Sequence, residues 1–424
     1  MNYHRWLAMK NFFGGSSDGA GSGTGDGTVV VKPITITENG TYTPEEGVDG
    51  FSEVKVEVQA TGGSDKLAKM VDGTITEMTA ADLGNITKIA PHAFAEQDAL
   101  ASVEIPETVT EIGANAFFGC GALKGITIPK NVTKFGNYVF ASSNLESITF
   151  ENVGGISSFG TTSFKDCTKL KEVHIDDLSA WCGKSFSSTY WMNPLYGGAG
   201  LYVGNDIIND LIIPDDVTTI AEYAFNGCGS LKSVTMHDGV TNVKAGAFST
   251  CANIESVKLS AGLTMISGQL FYKCTNLKTI DIPSSVTEIQ GSVFYYAGLT
   301  SITIPDSVTI VGSNVCQGCT DLTSATIGAG ATTIGQQMFD GCTNLMSVTI
   351  GAAIKTIYKM AFRSCPLESL TVKATTPPTL ASDALANVPT DCAIYVPAES
   401  VDAYKAATNW SARADYIFAI EEDA

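Results

Sequence analysis

Residues 109–129 read VTEIGANAFFGCGALKGITIP, and the order of residue types in this stretch recurs down most of the 424-residue chain. Reduced to what is shared, the unit is Val-Thr-x-Ile-Gly-x-x-Ala-Phe-x-x-Cys-x-x-Leu-x-x-Val-x-Ile-Pro. Its phenylalanine falls at Phe94, Phe117, Phe140, Phe164, Phe225, Phe248, Phe271, Phe294, Phe339 and Phe362, with Cys316 once in its place. Apart from the step from Phe164 to Phe225, neighbouring copies lie 22 to 24 residues apart. A fixed period of this size marks a solenoid: each coil cannot bury its own apolar face and is stable only when stacked on its neighbours.

Within a unit, Leu100-x-x-Val103-x-Ile105 or Leu277-x-x-Ile280-x-Ile282 alternates as a strand with one face in the core, and the proline or glycine that follows ends it. A second apolar pair, such as Ile86/Ile89, Val109/Ile112 or Val286/Ile289, supplies the opposite wall. Ala-Phe-x-x-Cys reads as a short helical turn closing the coil. The expected fold class is therefore a repeat solenoid, mainly β with short helical turns and a period of about 23 residues, whose stacked strands form a parallel sheet. Departures are local: Phe140 is followed by Ala-Ser-Ser, and His237 and Ser260 stand where the proline falls.

The flanks divide the rest. Residues 1–13 form an expected anchoring peptide in which Tyr3, Trp6, Leu7, Phe12 and Phe13 expose too many apolar groups to remain free in water. Residues 14–31 are a Gly-rich linker. Residues 32–60 hold two alternating runs, Ile34–Ile36 and Val54–Val58, around a turn-rich segment, and read as a small β module. The solenoid is assigned to residues 65–373, with an insertion at 176–212 that accounts for the long Phe164–Phe225 step and is expected to protrude. Residues 374–424 are the expected C-terminal cap: Pro377-Pro378 breaks the pattern, Ile394-Tyr-Val-Pro397 is a last strand, and Ser400 to Trp410 suits a short helix.

The pattern of Val109 to Pro129, repeated through Phe362, closely resembles the BspA-type leucine-rich repeats over residues 83–424. The inserted WCGKSFSSTYWMNPLYGGAGLYVGN looks like a variant unit found inside such arrays, and TPPTL followed by IYVPAESVDAYKAA resembles their usual ending. Separately, ITENGTYTPEEGVDGFSEVKVEV is similar to a short module of phage and prophage tail proteins of Gram-positive gut bacteria.

Charge and cysteine usage bound the function. With 44 acidic against 25 basic residues the net charge is -19, which repels phosphate backbones and anionic membranes, so neither a nucleic-acid partner nor membrane insertion is expected. The opening residues lack a signal-peptide core, and no apolar run approaches the roughly 18 residues that span a bilayer, so synthesis in a bacterial cytoplasm is expected. Cys120, Cys167, Cys228, Cys251, Cys274, Cys319, Cys342 and Cys365 share one register and read as an internal column of reduced, buried thiols. Cys316 and Cys319 make a lone Cys-x-x-Cys with no second pair, and His4, His92, His174 and His237 are scattered over different registers. No metal, no cofactor and no catalytic residue is expected. Asp176-Asp177 and Asp215-Asp216 are the paired acids a glycosidase would need, and both read as solvated turns.

Two groups of residues are candidates for binding. In the insertion, Trp181, Tyr190, Trp191, Tyr196 and Tyr202 form either a sugar-stacking or protein-contacting patch or the insertion's own core. On the outward strand face, a threonine column (Thr127, Thr149, Thr235, Thr303, Thr326, Thr349, Thr371) runs beside a serine column; β propensity explains the hydroxyls, so specificity would rest on His174, Lys258 and Asp281. The resemblance, the anchor-tether-module order and the lack of an export signal together imply a virion structural protein on a phage tail or capsid. It would be held by its N-terminus to other virion proteins, with residues 1–13 also open to pairing copies, and would bind a host surface glycan or protein through the solenoid. A bacterial surface or secreted adhesin is the alternative, and a carbohydrate-cleaving enzyme acting through Asp176 or Asp177 is the third reading.

Overall fold

A computed structural model describes residues 31–36, 50–56, 67–68, 76–84, 86–186 and 192–421. The repeats form a β-solenoid of about 15 turns. Two parallel ladders run along it. The longer strands stack as Gly125–Ile128, Ser147–Phe150, Glu172–Ile175 and Gly200–Val203, then Asp210–Ile212, Ser233–Thr235 and Ser256–Lys258. The third segment is Ser301–Ile304, Ser324–Ile327, Ser347–Ile350, Ser369–Val372, Ala393–Val396 and Ile417–Ala419. Two-residue strands such as Glu111–Ile112 and Thr356–Ile357 make the second ladder. In the long strands Ile302 and Ile304, Val348 and Ile350, and Leu370 and Val372 face inward and are buried, because side chains two apart share a face of a strand.

The third wall corrects the expectation of a helical turn. Each Ala-Phe-x-x-Cys segment has two residues of left-handed φ, two before and two after the phenylalanine: Asn115 (57°) and Gly119 (67°) around Phe117, Gln269 (58°) and Lys273 (56°) around Phe271. Backbone N–H groups then alternate in direction. His92, Phe94 and Glu96 donate to the carbonyls of Ala114, Ala116 and Phe118 in the next coil, while Ala93, Ala95 and Gln97 donate to the residue three back. A helix would keep all of these bonds inside one coil and leave the stack with no connection on this side.

The phenylalanines stack in columns beneath these turns. Phe94, Phe117, Phe140 and Phe164 succeed one another at 5.1, 5.5 and 5.6 Å between ring centres, and Phe225, Phe248, Phe271 and Phe294 at 5.3, 6.1 and 5.9 Å. Burying each ring contributes about 2 kcal/mol, and the fixed period is what brings like residues face to face.

The insertion is stacked into the solenoid more than it protrudes. Gly200–Val203 pairs in parallel with Glu172–Ile175, and among the described residues the antiparallel turn-back through Gly204 to Asp206–Ile207 leaves the stack. The helix Leu178–Cys182 stands in for an ordinary wall: Asp177 caps it by accepting from Ala180 N–H at 3.0 Å, and Ala221 N–H donates to Cys182 O at 2.7 Å.

At the C-terminal end the ladder runs past residue 374, since Thr356–Ile357 pairs with Thr379–Leu380 and Asn387 repeats the left-handed turn position. The strand expected to be last, Ala393–Val396, is followed by Ile417–Ala419, which pairs with it in parallel. Tyr404 and Trp410 are fully buried over the final coil, their polar ends donating to Ala374 O (2.8 Å) and Pro378 O (2.9 Å). Arg413 donates to the carbonyls of Val388 and Pro389, which no further coil reaches. The runs expected as a small β module form strands Val31–Ile36 and Gly50–Val56, paired in parallel. The anchoring peptide with Tyr3, Trp6, Leu7, Phe12 and Phe13, and the Gly-rich linker up to residue 30, lie outside the described residues.

Candidate functional site

The outward side of the long strands is the face the sequence singles out. Thr303, Thr326, Thr349 and Thr371 lie in register across four strands, and Ser301, Ser324, Ser347 and Ser369 lie in register beside them. The next rung replaces the pair with Ala393 and Tyr395, and Phe418 follows, its ring 6.1 Å from that of Tyr395. Phe418 is 45% exposed, so the hydroxyl face ends in an aromatic step.

Toward the N-terminal coils the same face is recessed. Gly125 occupies the register of Ser147 and has no side chain to fill it. The recess, 360 Å³, is lined by Ser102, Thr127, Ser147, Thr149 and the carboxylates of Glu104, Glu107 and Glu151. Lys130 pairs with Glu107 at 3.6 Å on its rim.

His174 and Tyr202, both singled out from sequence, are brought together: they are cross-strand partners with rings 4.5 Å apart and 22° from parallel. His174 Nδ1 lies 2.7 Å from Gly204 O and Nε2 lies 3.3 Å from Glu172 Oε2, so both ring nitrogens face acceptors. Lys258 and Asp281 are exposed but stand apart from this pair. Lys258 belongs to a different sheet, and Asp281 sits outside any strand.

Of the two readings open for the insertion's aromatics, Trp181 takes the core: it is fully buried, packs on Phe159 and Phe186, and donates from Nε1 to Ala224 O at 3.0 Å. Tyr196 is 38% exposed and borders a small recess of 160 Å³ with Asn193 and Pro194. Tyr190 and Trp191 lie outside the described residues.

Three of the four paired acids are committed to bonds within the fold. Asp176 accepts from Val153 N–H at 2.8 Å, Asp177 caps its helix, and Asp216 accepts from the Ser179 hydroxyl at 2.8 Å. All eleven cysteines are free and buried. Burial pushes the thiols of Cys120 and Cys182 up to about 12 and those of Cys167 and Cys392 up to about 11, so they remain protonated and unreactive. Among the described residues no group of three or more His, Cys, Asp or Glu is placed to hold a metal ion, and no helix is long and apolar enough to cross a membrane.

Sequence reasoning missed the outer edge of the turns. From Phe271 onward the position after the buried phenylalanine, or after Cys316 in its place, reads Tyr272, Tyr295, Gln317, Asp340 and Arg363 in successive coils. That column was legible once the period was known, but a helical reading of the turn gives no reason to look along it.

Comparison with known proteins agrees with this geometry. The chain matches the BspA type leucine rich repeat region in six copies, over residues 76–194, 199–323 and 309–388. It belongs to that family of repeat proteins. Among solved structures it is similar to a leucine-rich repeat protein from Bacteroides ovatus, at 20% identity and a TM-score of 0.53, with 95% of this chain and 97% of that one covered. It is also similar to a leucine rich cell surface protein from Faecalibacterium prausnitzii, at 24% identity and a TM-score of 0.45, covering 74% and 86%. The pneumococcal vaccine antigen PcpA gives 17% identity and a TM-score of 0.43, covering 93% and 90%. A search of curated proteins finds no match.

Proposed function

We propose that this chain is a non-catalytic adhesion protein that binds a cell-surface glycan or protein through the outward strand face of its solenoid. One observation carries the reading: Thr303, Thr326, Thr349 and Thr371 and their serine neighbours form an in-register array across four coils, exposed at Ser301, Thr303 and Thr326 and half-buried at the rest. An array of fixed hydroxyls offers many donors and acceptors at little ordering cost. Membership of a repeat family, the backbone bonds of Asp176 and Asp177 and the hydroxyl bond of Asp216 favour binding over cleavage.

Attachment to a phage particle is a narrower form of this reading. It rests on the resemblance carried by residues 36–58, and the family match begins after them, at residue 76. Display on a bacterial cell, which requires export and an anchor besides the solenoid, rests on the repeat-family match and is preferred.

The test is flow cytometry with fluorescently labelled full-length chain on epithelial and bacterial cells. The double variant Thr326→Lys/Thr349→Lys places two charges on the array and is expected to weaken cell binding roughly tenfold at an unchanged melting temperature. Absence of binding to both cell types, or binding indifferent to the substitutions, removes the proposal.

A further inference from the structure

The turn side of the solenoid carries a second ordered surface. Lys273 N–H donates to Tyr295 O at 2.7 Å, Tyr296 to Gln317 O, Gly318 to Asp340 O and Gly341 to Arg363 O at 2.9 Å each. These bonds set Tyr272, Tyr295, Gln317, Asp340 and Arg363 in adjacent coils. With coils spaced by about 4.8 Å, the five side chains make one line along the stack.

The line has two halves. In the first, Tyr272 and Tyr295 are parallel at 5.0 Å and 4°, and Tyr296 stands edge-on to Tyr295 at 4.7 Å. Tyr296 is 47% exposed, and its ring lies over Gly318, where a Cβ would come within 2.7 Å of it. Gly318 also has φ of +71°, so both the backbone and the ring above it require glycine.

In the second half, Asp340 accepts from Gln317 Nε2 (3.0 Å), Gln337 Nε2 (3.1 Å), Arg363 Nε (2.7 Å) and Arg363 Nη2 (2.6 Å). Asn314 in turn donates to Gln317 Oε1 at 2.5 Å. Burial alone would lift the Asp340 carboxyl, but the donors from Arg363, Gln337 and Gln317 outweigh it and hold it below the ordinary range. The Asp340 side chain is 5% exposed and that of Arg363 40%. The carboxylate is therefore an inner anchor, and the guanidinium and amides are the surface it holds in place.

We propose that this ridge binds an uncharged oligosaccharide, with Tyr296, braced by Tyr295, taking the apolar face of a sugar ring and Arg363, Gln317 and Gln337 bonding to its hydroxyls. A pyranose has an apolar C–H face and a rim of hydroxyls, and so matches aromatic rings next to fixed planar donors. A charged ligand gains little, since the charge of Arg363 is already matched by Asp340. An extended peptide needs a row of unpaired backbone groups, and these turns have spent theirs on neighbouring coils. Because Asp340 fixes the polar side chains before any ligand arrives, the ordering cost on binding is small. None of these residues lies on the strand face, so the ridge stands or falls separately from it.

The experiment is isothermal calorimetry of the full-length chain with cellohexaose, xylohexaose, mannohexaose and laminarihexaose, and with a sialylated oligosaccharide as the charged comparison. Binding to at least one neutral sugar is expected, weakened roughly tenfold by Tyr296→Ala and largely kept in Tyr296→Phe. Melting temperatures of all variants are measured to confirm the fold. The proposal is overturned if no neutral sugar binds, if Tyr296→Ala leaves binding undiminished, if the charged sugar binds best, or if Thr326→Lys alone abolishes it.

Discussion

The thiol of Cys365 points at the main-chain carbonyl of Phe339, 3.0 Å away in the preceding coil. The same relationship joins Cys120 to Phe94, Cys251 to Phe225 and Cys319 to Phe294, each at 3.0 Å. The repeat keeps cysteine at this register because a small apolar side chain with one weak donor fits a site that is dry but bordered by a carbonyl.

Replacing Cys365 by alanine removes that donor and a sulfur's volume, and should cost about 1 kcal/mol in a urea melt. Cys365→Ser keeps a donor at the register that Ser143 occupies naturally and should lose less. Equal losses would mean that packing alone selects the residue.

Alkaline pH should unfold the protein through the same column. Burial raises these thiols from an ordinary 9.0 to about 11 for Cys167 and about 12 for Cys120. Below pH 9 both folded and unfolded chains are protonated and stability is full. Above it the unfolded chain loses protons first, so stability falls and is lost as the pH passes through 11 to 12. Melting temperatures across pH 7 to 11 should stay level to about 9 and then drop; a level profile throughout contradicts the burial of the thiols.

Trp181 should behave as core. Trp181→Ala is expected to cost roughly 3–5 kcal/mol and to broaden or split the unfolding transition at the insertion. A variant that melts like the parent but loses ligand would return Trp181 to the binding surface.

Ser142 has φ of 59° and is exposed, and four other coils hold glycine at the equivalent position, as Gly119, Gly227, Gly318 and Gly341. Ser142→Gly relieves the left-handed conformation and should raise stability by up to about 1 kcal/mol, read as a higher melting temperature. A lower one would show that the loss of backbone entropy dominates.

The strand ladders, the phenylalanine and cysteine columns and the hydroxyl face were legible because each follows from one residue type recurring at one period. The turns were not. Their left-handed positions are filled by Asn115, Tyr138, Thr250, Gln269 and Tyr296 as readily as by glycine, so no composition marks them, and the bonds that hold them lie between coils. Trp181 and Tyr202 looked alike in sequence and separated in space, since only contact with Phe159 on one side and His174 on the other tells core from surface. The Tyr295 to Arg363 line escaped notice because neighbours on it are 22 or 23 residues apart in the chain.

The turn bonds all run one way, from the N–H groups of one coil to the carbonyls of the next. The stack therefore has a head and a tail that are chemically unlike, and two bare ends could meet only head to tail. Such a contact does not close on itself and would grow into a filament. By burying Tyr404 and Trp410 over the coil before them and spending Arg413 on the carbonyls of Val388 and Pro389, residues 401–419 cover one of those ends against such growth.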